Sequence, residues 1–317
     1  MSFKITGTGM YVPENVVENR DLENLVDTTD EWIQQRVGVC RRHISVNETA
    51  SEMGFEAARR ALSVSGTAVS ELDLILAATV SCENVSPSLA CKVQNLLGAK
   101  CLAFDLNAAC ASFIFLLETA AGFFARGRVK KVLIIGAEQL SRIVDWTDRG
   151  TCVIFGDGAG AAVLERGENF LDSTLTSVGG EDVIKIPHYV GASPFWKREP
   201  DRPFIHMAGQ ETFKFAVNAI CADLTLLLKR NGLGFGDIRY IVPHQANKRI
   251  IDLAASRLKV KKEKFYTNIE NYGNTSSASI PIALDEMQKA GMLQKGDLLL
   301  LPAFGGGLAH AACLLRW

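Results

Sequence analysis

The sequence predicts an α/β protein built from two similar halves, and three observations carry that prediction. Apolar runs of strand length alternate with amphipathic stretches of helix length. The apolar runs are short and unbroken, as in strands buried on both faces. Features of the first half recur in the same order in the second. At 317 residues the chain also exceeds the ~250–300 residues at which a single core stops growing.

The elements follow in order. Positions 72–79 read as a strand, 87–97 as a helix, 101–106 as a strand, 111–126 as a helix and 131–136 as a strand. The segment Phe155-Gly-Asp-Gly-Ala-Gly-Ala-Ala-Val-Leu-Glu-Arg166 is echoed by Phe304-Gly-Gly-Gly-Leu-Ala-His-Ala-Ala-Cys-Leu-Leu-Arg316. Upstream of each echo a helix and a charged turn lead into a strand, so 128–136 matches 294–301, and earlier still 72–79 matches 238–244. The division falls near 165–171, giving halves 1–168 and 169–317. Positions 181–202 have no periodicity and contain Pro187, Pro194 and Pro200. They read as a loop-rich excursion, either a lid or channel wall or an inert surface insertion.

Gly156-x-Gly158-x-Gly160 follows a strand and has the look of a dinucleotide loop. The next residues, Ala161-Ala-Val-Leu164, continue as a strand, whereas a phosphate cradle needs a helix N-terminus. Tight connection of strands in a crowded core explains these glycines better.

With 34 basic against 35 acidic side chains, the chain has no global attraction to nucleic acid or an anionic membrane. Any phosphate-bearing partner must meet a local patch. Eight cysteines with no C-x-x-C pair, mostly in apolar or alanine-rich surroundings, fit reduced cytosolic usage rather than a disulfide framework. The first residues are too short in apolar content for a signal peptide. The longest apolar segment, 113–125, is broken by Glu118 and falls short of the ~20 residues that span a bilayer. A soluble cytoplasmic protein is expected.

Among the cysteines, Cys110 alone sits where a buried strand runs through small residues into a helix. Helix N-terminal amides at such a corner lower a thiol pKa, and small neighbours admit a substrate. A nucleophilic cysteine needs a group to handle protons and donors to hold developing negative charge. Two second-half segments offer polar groups just after strands: Val242-Pro-His244-Gln-Ala-Asn247 and Asn268-Ile-Glu-Asn-Tyr-Gly-Asn274-Thr-Ser-Ser277. By the repeat, the second occupies the place that the Cys110 corner holds in the first half, so facing halves would bring the corners together. Read alone, His244 is equally a core histidine and Asn274 a turn residue.

Seven motifs now carry a family resemblance over the whole chain. They are Asp30-Glu-Trp32-Ile-x-x-Arg36-x-Gly38, Ala-Ala-Cys110-Ala, Thr147-Asp-Arg149-Gly, Phe155-Gly-Asp-Gly-Ala-Gly, Pro243-His244-Gln-Ala-Asn247, Gly273-Asn274-Thr-Ser-Ser and Ala303-Phe-Gly-Gly-Gly307. Together they resemble the β-ketoacyl-[acyl carrier protein] synthase III family of the thiolase superfamily. The resemblance implies a thiolase-like fold with duplicated α/β halves layered αβαβα. Cys110, His244 and Asn274 would be the catalytic set. Cys-His-Asn separates this branch from the Cys-His-His elongating synthases and the Cys-His-Cys thiolases; chalcone-synthase-like enzymes share it but are usually longer.

The resemblance further implies that Cys110 takes a primer acyl group from acyl-CoA, with the amides of Cys110 and Gly306 as oxyanion hole. His244 and Asn274 would then stabilise the enolate formed when malonyl-carrier protein loses carbon dioxide. Trp32 and Arg149 would sandwich the CoA adenine and Arg36 would meet its phosphates. Thr28, Met207, Gly209, Phe213, Ala246 and Asn247 would line the pantetheine tunnel, and Ser86, Leu140, Phe155 and Phe304 the acyl pocket. Acidic carrier protein would dock on Lys214, Lys248, Arg249 and Arg257; Lys261, Lys262 and Lys264 are equally a solvated helix end. A homodimer formed through the first half is implied, with no metal and no cofactor beyond the substrates.

Three departures bear on primer choice. Ser86 stands where many relatives place a bulky aromatic that reaches into the partner's acyl pocket. Leu308-Ala-His310 replaces an aromatic-containing segment, and Ser112 replaces a glycine. An initiating condensing enzyme of type II fatty acid synthesis is the leading expectation. A synthase III relative of specialised metabolism, using another primer or acceptor, is the second. A catalytically silent partner subunit is the third, opposed by the intact Cys110, His244 and Asn274.

Overall fold

Apolar residues occupy successive positions of the central strands because each face of each strand fills a different core. In the computed structural model, which describes residues 2–187, 194–197, 199 and 201–317, two sheets are present at the heart of the chain. The first contains β1 (Ser2–Tyr11), β2 (Leu74–Ala78), β3 (Leu102–Asp105), β4 (Lys131–Glu138) and β5 (Gly158–Gly167), in the order β1-β5-β4-β2-β3. The second contains β6 (Phe170–Ser177), β7 (Tyr240–Ile241), β8 (Leu298–Gly305) and β9 (Ala309–Arg316), in the order β7-β8-β9-β6. In each sheet the pairing turns from antiparallel to parallel at the same place, β4 with β2 and β8 with β7. An isolated parallel bridge from Phe265 to Ile241 stands where β3 stands in the first sheet.

Six helices complete the layers. α1 (Ala50–Ser65) and α2 (Leu89–Leu97) cover the outer face of the first sheet; Met53, Ala57 and Val93 pack there on Ile75, Leu133 and Ile135. α4 (Gly209–Arg230) and α5 (Lys248–Leu258) cover the second, with Ile220, Leu224 and Ile251 against Leu300 and Leu314. Between the sheets lie α3 (Ser112–Ala125) and α6 (Ser279–Lys289). Their Phe113, Leu117, Ile280 and Leu284 meet Leu76, Ile134, Leu299 and Leu301. The layers run αβαβα, as expected of a thiolase-like fold.

Local chemistry sets the element ends. α1 starts at a capping box in which Thr49 and Glu52 exchange side chain for backbone, and ends at Gly66 with φ +66°; each cap contributes about 1 kcal/mol. α2 begins two residues later than the sequence pattern, because the Ser88 hydroxyl accepts from Cys91 N and fixes the first turn there. The Gly158–Gly167 run is a strand, and a Cβ on Gly160 would lie 2.7 Å from Pro281 Cβ on α6. Close strand–helix approach, not a phosphate, requires that glycine.

Backbone register equates the two sheets residue by residue. Asp73 N–H donates to Lys131 O at 3.0 Å and Arg239 N–H to Leu298 O at 2.8 Å. Lys131 therefore aligns with Leu298, and Glu138 at the end of β4 with Gly305 at the end of β8. The strand-to-helix corners also match: Ala109 and Ser276 both have φ 48°. Asn107 Oδ1 accepts from Ala109 N at 2.9 Å, and Asn274 Oδ1 from Ser276 N at 2.8 Å.

Of the 181–202 excursion, Ile184–Lys185 pairs with His206–Met207 as a short ribbon; positions 188–193, 198 and 200 lie outside the described residues. Among the described residues no helix is long and apolar enough to cross a membrane.

Candidate active site

The two corners face each other across the central layer and open into a cavity of about 170 Å³. Its wall brings together Cys110, His244, Asn274 and Gly306 with Leu140, Phe155, Met207, Gly209, Phe213, Ala246, Asn247 and Phe304. Twelve of the residues expected at the site from sequence thus share one space. Ile184 and Ile186 from the described start of the excursion, with Ile205 just after it, add an apolar wall. A more open cleft of about 720 Å³ adjoins it, sharing Val80, Ala109, Ile184, Ile186 and Gly306.

Cys110 occupies the middle of a single 3₁₀ turn, Ala109–Ala111, immediately before α3. The expectation that helix amides would lower its pKa is corrected here. Burial pushes the thiol up to about 12; the Ser276 hydroxyl pulls it down, and the Glu138 carboxylate adds to the rise. Desolvation of the thiolate outweighs the hydrogen bonds from Ser276 and from the Cys110 amide. Beside the thiol, β8 comes so close that a Cβ on Gly305 would lie 2.6 Å from Cys110 N and 3.2 Å from Ala111 N. Gly305, rather than Gly306, is where the missing side chain keeps that amide open.

His244 follows β7, its backbone N–H bonded to Pro302 O at 2.9 Å. The ring is buried, edge-on to Phe304 at 5.2 Å, and burial lowers its pKa to about 3, so it stays neutral. Its Nδ1 lies 2.7 Å from Ser279 Oγ, which also receives Gln245 N–H at 3.4 Å. When the hydroxyl donates its hydrogen to Nδ1, the imidazole hydrogen sits on Nε2. Nothing in the sequence pattern singled out Ser279. Gln245 is buried and ties the loop to Pro243 O, Tyr266 O and Asn268 N.

Asn274 is pinned by its backbone to the segment before β5: its N–H donates to Ile154 O at 2.9 Å and its carbonyl accepts from Gly156 N at 3.1 Å. Its Oδ1 is committed to Ser276 N, which leaves Nδ2 as the donor. The site therefore holds a thiol beside an open amide, facing a neutral imidazole and an amide N–H donor.

The remaining expected residues divide. Asn247 caps α5, accepting from Arg249 N at 2.9 Å and donating to Arg36 O at 3.1 Å. Trp32 and Arg149 do not bracket an open slot: the guanidinium sits on the indole, 4.8 Å from its centroid, and donates to Asp27 O. A base inserted there must displace Arg149. Thr28 Oγ1 is buried with no hydrogen-bond partner among the described residues, and Arg36 is exposed. Ser86 is exposed and away from the cavity of its own chain.

Lys214 and Arg249 are exposed at the Phe213 rim, with Arg249 5.6 Å from that ring's centroid. Lys248 pairs with Asp252 and Arg257 donates to Asn218 Oδ1. Lys264 is committed to the carbonyls of Phe235 and Ile238, and Lys262 to Asp252. Among the described residues no group of three or more His, Cys, Asp or Glu side chains is placed to hold a metal ion.

Known proteins match this chain throughout its length. Residues 104–179 match the family model for 3-oxoacyl-[acyl-carrier-protein] synthase III, and residues 228–317 the model for its C-terminal part. The β-ketoacyl-[acyl-carrier-protein] synthase III of Clostridium acetobutylicum is 47% identical, covering 100% of this chain and 99% of its own. That of Alkalilimnicola ehrlichii is 45% identical over 99% of each. The crystal structure of 3-oxoacyl-[acyl-carrier-protein] synthase III from Aquifex aeolicus superposes with a TM-score of 0.93 at 44% identity over 100% of both chains. The priming β-ketosynthase of the R1128 polyketide pathway superposes with 0.92 at 34% identity, over 99% of this chain and 96% of that one. With a cysteine corner, a neutral histidine and an asparagine donor converging in one cavity, and relatives of this identity across its full length, the chain belongs to the β-ketoacyl-[acyl-carrier-protein] synthase III family.

Proposed function

We propose that the chain condenses a primer acyl-CoA with malonyl-carrier protein, the initiating step of type II fatty acid synthesis. The observation that carries this reading is the division of labour in the cavity: a thiol beside an open amide on one corner, and a neutral imidazole with an amide N–H donor on the other.

In the first half-reaction the Cys110 sulfur attacks the thioester carbonyl of acyl-CoA. The tetrahedral oxyanion is held by the amides of Cys110 and Gly306. Collapse expels CoA thiolate, and the proton lost by Cys110 ends on the CoA thiol. In the second, the malonyl thioester oxygen accepts from His244 Nε2–H and Asn274 Nδ2–H. As carbon dioxide leaves, its bonding electron pair becomes the enolate, whose charge the two donors stabilise. The enolate carbon attacks the acyl group on Cys110, the same two amides hold the oxyanion, and the Cys110 thiolate departs and takes a proton from solvent. A neutral histidine serves throughout, because the step needs a donor at Nε2 and not a cation. The chemistry calls for no metal or organic cofactor.

The halves 1–168 and 169–317 each supply one corner. Met207, Gly209, Phe213, Ala246 and Asn247 would hold pantetheine, with Thr28 offering its free hydroxyl, Arg36 meeting phosphate, and Trp32 and Arg149 parting around adenine. Leu140, Phe155 and Phe304 would contact the primer. Lys214, Lys248, Arg249 and Arg257 would face the acidic carrier, Arg249 foremost. In this reading the enzyme works in the cytoplasm as a homodimer through the first half. β3 is an edge strand whose Leu102 is 56% exposed, an unprotected edge of the kind that pairs with another chain, and the partner's Ser86 would lie near the acyl pocket.

The likeness to the R1128 priming synthase favours a second reading, priming of a specialised pathway. Turnover of acetyl-, isobutyryl- and longer acyl-CoAs with malonyl-carrier protein tests the proposal. A β-ketoacyl-carrier product supports it. Product only with a non-carrier acceptor supports the second reading instead.

A further inference from the structure

Glu138 ends β4, is fully buried, and has no part in the steps above. One carboxylate oxygen accepts from Thr79 Oγ1 at 3.2 Å, Val80 N at 3.0 Å and Ser81 Oγ at 2.5 Å. The other accepts from Ser277 Oγ at 2.7 Å and Ser277 N at 3.4 Å. One side chain thus ties the loop after β2, in the first half, to the turn that follows Asn274, in the second.

The repeat gives this contact its meaning. Glu138 aligns with Gly305, and Ser277, the residue after the φ 48° position, aligns with Cys110. At one corner β8 ends in a glycine that keeps Cys110 N uncovered. At the equivalent corner of the other half β4 ends in a carboxylate that fills the corresponding space and bonds the corresponding amide. The same backbone frame is left open where an oxyanion must form, and plugged where a donor must be held still.

We propose that Glu138 is a positioning residue: by capping the Ser277 amide and hydroxyl it fixes the 274–278 turn, and so holds Asn274 Nδ2 on the malonyl thioester oxygen. The inference rests on the roles given above to Cys110 and Asn274. Two backbone amides, Val80 N–H and Ser277 N–H, reach opposite oxygens of the carboxylate and can only donate. An amide in place of the carboxyl must turn its NH₂ toward one of them.

The experiment separates the half-reactions in the full-length enzyme. Acylation is read as CoA release and mass gain with acetyl-CoA, and decarboxylation as carbon dioxide release from malonyl-carrier protein. In Glu138→Gln the kcat for decarboxylation should fall about 10-fold or more, as for a buried donor left unpaired. The KM for malonyl-carrier protein should hold, acylation should not slow, because losing the carboxylate charge removes one cause of the raised Cys110 thiol, and Glu138→Asp should recover part of the decarboxylation loss. Parallel loss of both half-reactions together with a lowered Tm would reduce Glu138 to a structural role and overturn the proposal, as would unchanged decarboxylation. If Glu138→Gln does not fold, Ser277→Ala, which keeps the carboxylate and deletes one contact, should show the same split at smaller size; its absence overturns the proposal. Asn274→Ala is the control. If it keeps full decarboxylation, the role assigned to Asn274 fails; if it loses it while Glu138→Gln does not, this inference alone fails.

Discussion

Replacing Gly305 with alanine should disable acylation more than any other single methyl added to the cavity wall. The new Cβ would lie 2.6 Å from Cys110 N and 3.2 Å from Ala111 N. Ordinary contacts begin near ~3.5 Å, so the Cys110 corner or the end of β8 must retreat by roughly 1 Å. Both neighbours are backbone, which no side-chain rotation can relieve. Loss of one oxyanion donor costs ~10²–10³ in rate, and a 1 Å misplacement of reacting groups ~10². Gly306→Ala is the internal comparison, since its Cβ would meet only Ile184, at an ordinary 3.4 Å from the side chain and 3.6 Å from the backbone carbonyl. Rapid-quench acylation by acetyl-CoA, with Tm measured alongside, decides the matter. Gly305→Ala should acylate ~100-fold more slowly while Gly306→Ala stays near wild type. Wild-type acylation by Gly305→Ala, or a larger loss in Gly306→Ala, would refute the assignment of the open amide.

Other residues make separate predictions. Ser279→Ala removes the hydroxyl that meets His244 Nδ1 and should slow decarboxylation about 10-fold, at the scale of one buried unsatisfied group, leaving acylation unchanged; equal loss in both half-reactions would count against it. His244 also carries a pH signature. Unfolded histidine takes up a proton below pH 6.5, whereas the folded ring resists to about 3, so stability falls as pH drops between those values. At pH 4.5 the loss is about 3 kcal/mol relative to neutral pH. Urea midpoints at pH 7.5 and 4.5 should converge less in wild type than in His244→Gln, and identical pH dependence would contradict the burial argument. Arg249→Glu, at the Phe213 rim, should weaken malonyl-carrier turnover and spare acylation by acyl-CoA; parallel loss would remove Arg249 from the carrier surface.

Much of this was legible in the sequence, for identifiable reasons. Strands such as 72–79 and 131–136 could be read because burial on both faces leaves an unbroken apolar run, and because the second half repeats them. Cys110 and His244 could be read because each follows a strand closely, and Asn274, which the structure places after the short helix Ile269–Tyr272, because its segment repeats the Cys110 corner in the second half. Pairwise geometry could not. Ser279 reaches His244 from a different element, and Glu138 meets Ser277 across 139 residues. Gly305 and Gly306 are indistinguishable in a run of three glycines until β8 is seen against Cys110 N. The closed Trp32–Arg149 stack follows from side-chain packing outside the cavity and the raised Cys110 pKa from desolvation inside it, and residue types and spacing carry neither.

Intact-mass analysis with peptide mapping tests the central claim most directly. The enzyme is mixed with acetyl-CoA, then with malonyl-carrier protein. The account predicts one acetyl group, mapped to Cys110, that disappears on the second addition as β-ketoacyl-carrier protein and carbon dioxide form. An acetyl group on any other residue, or product formed undiminished by Cys110→Ala, would contradict it.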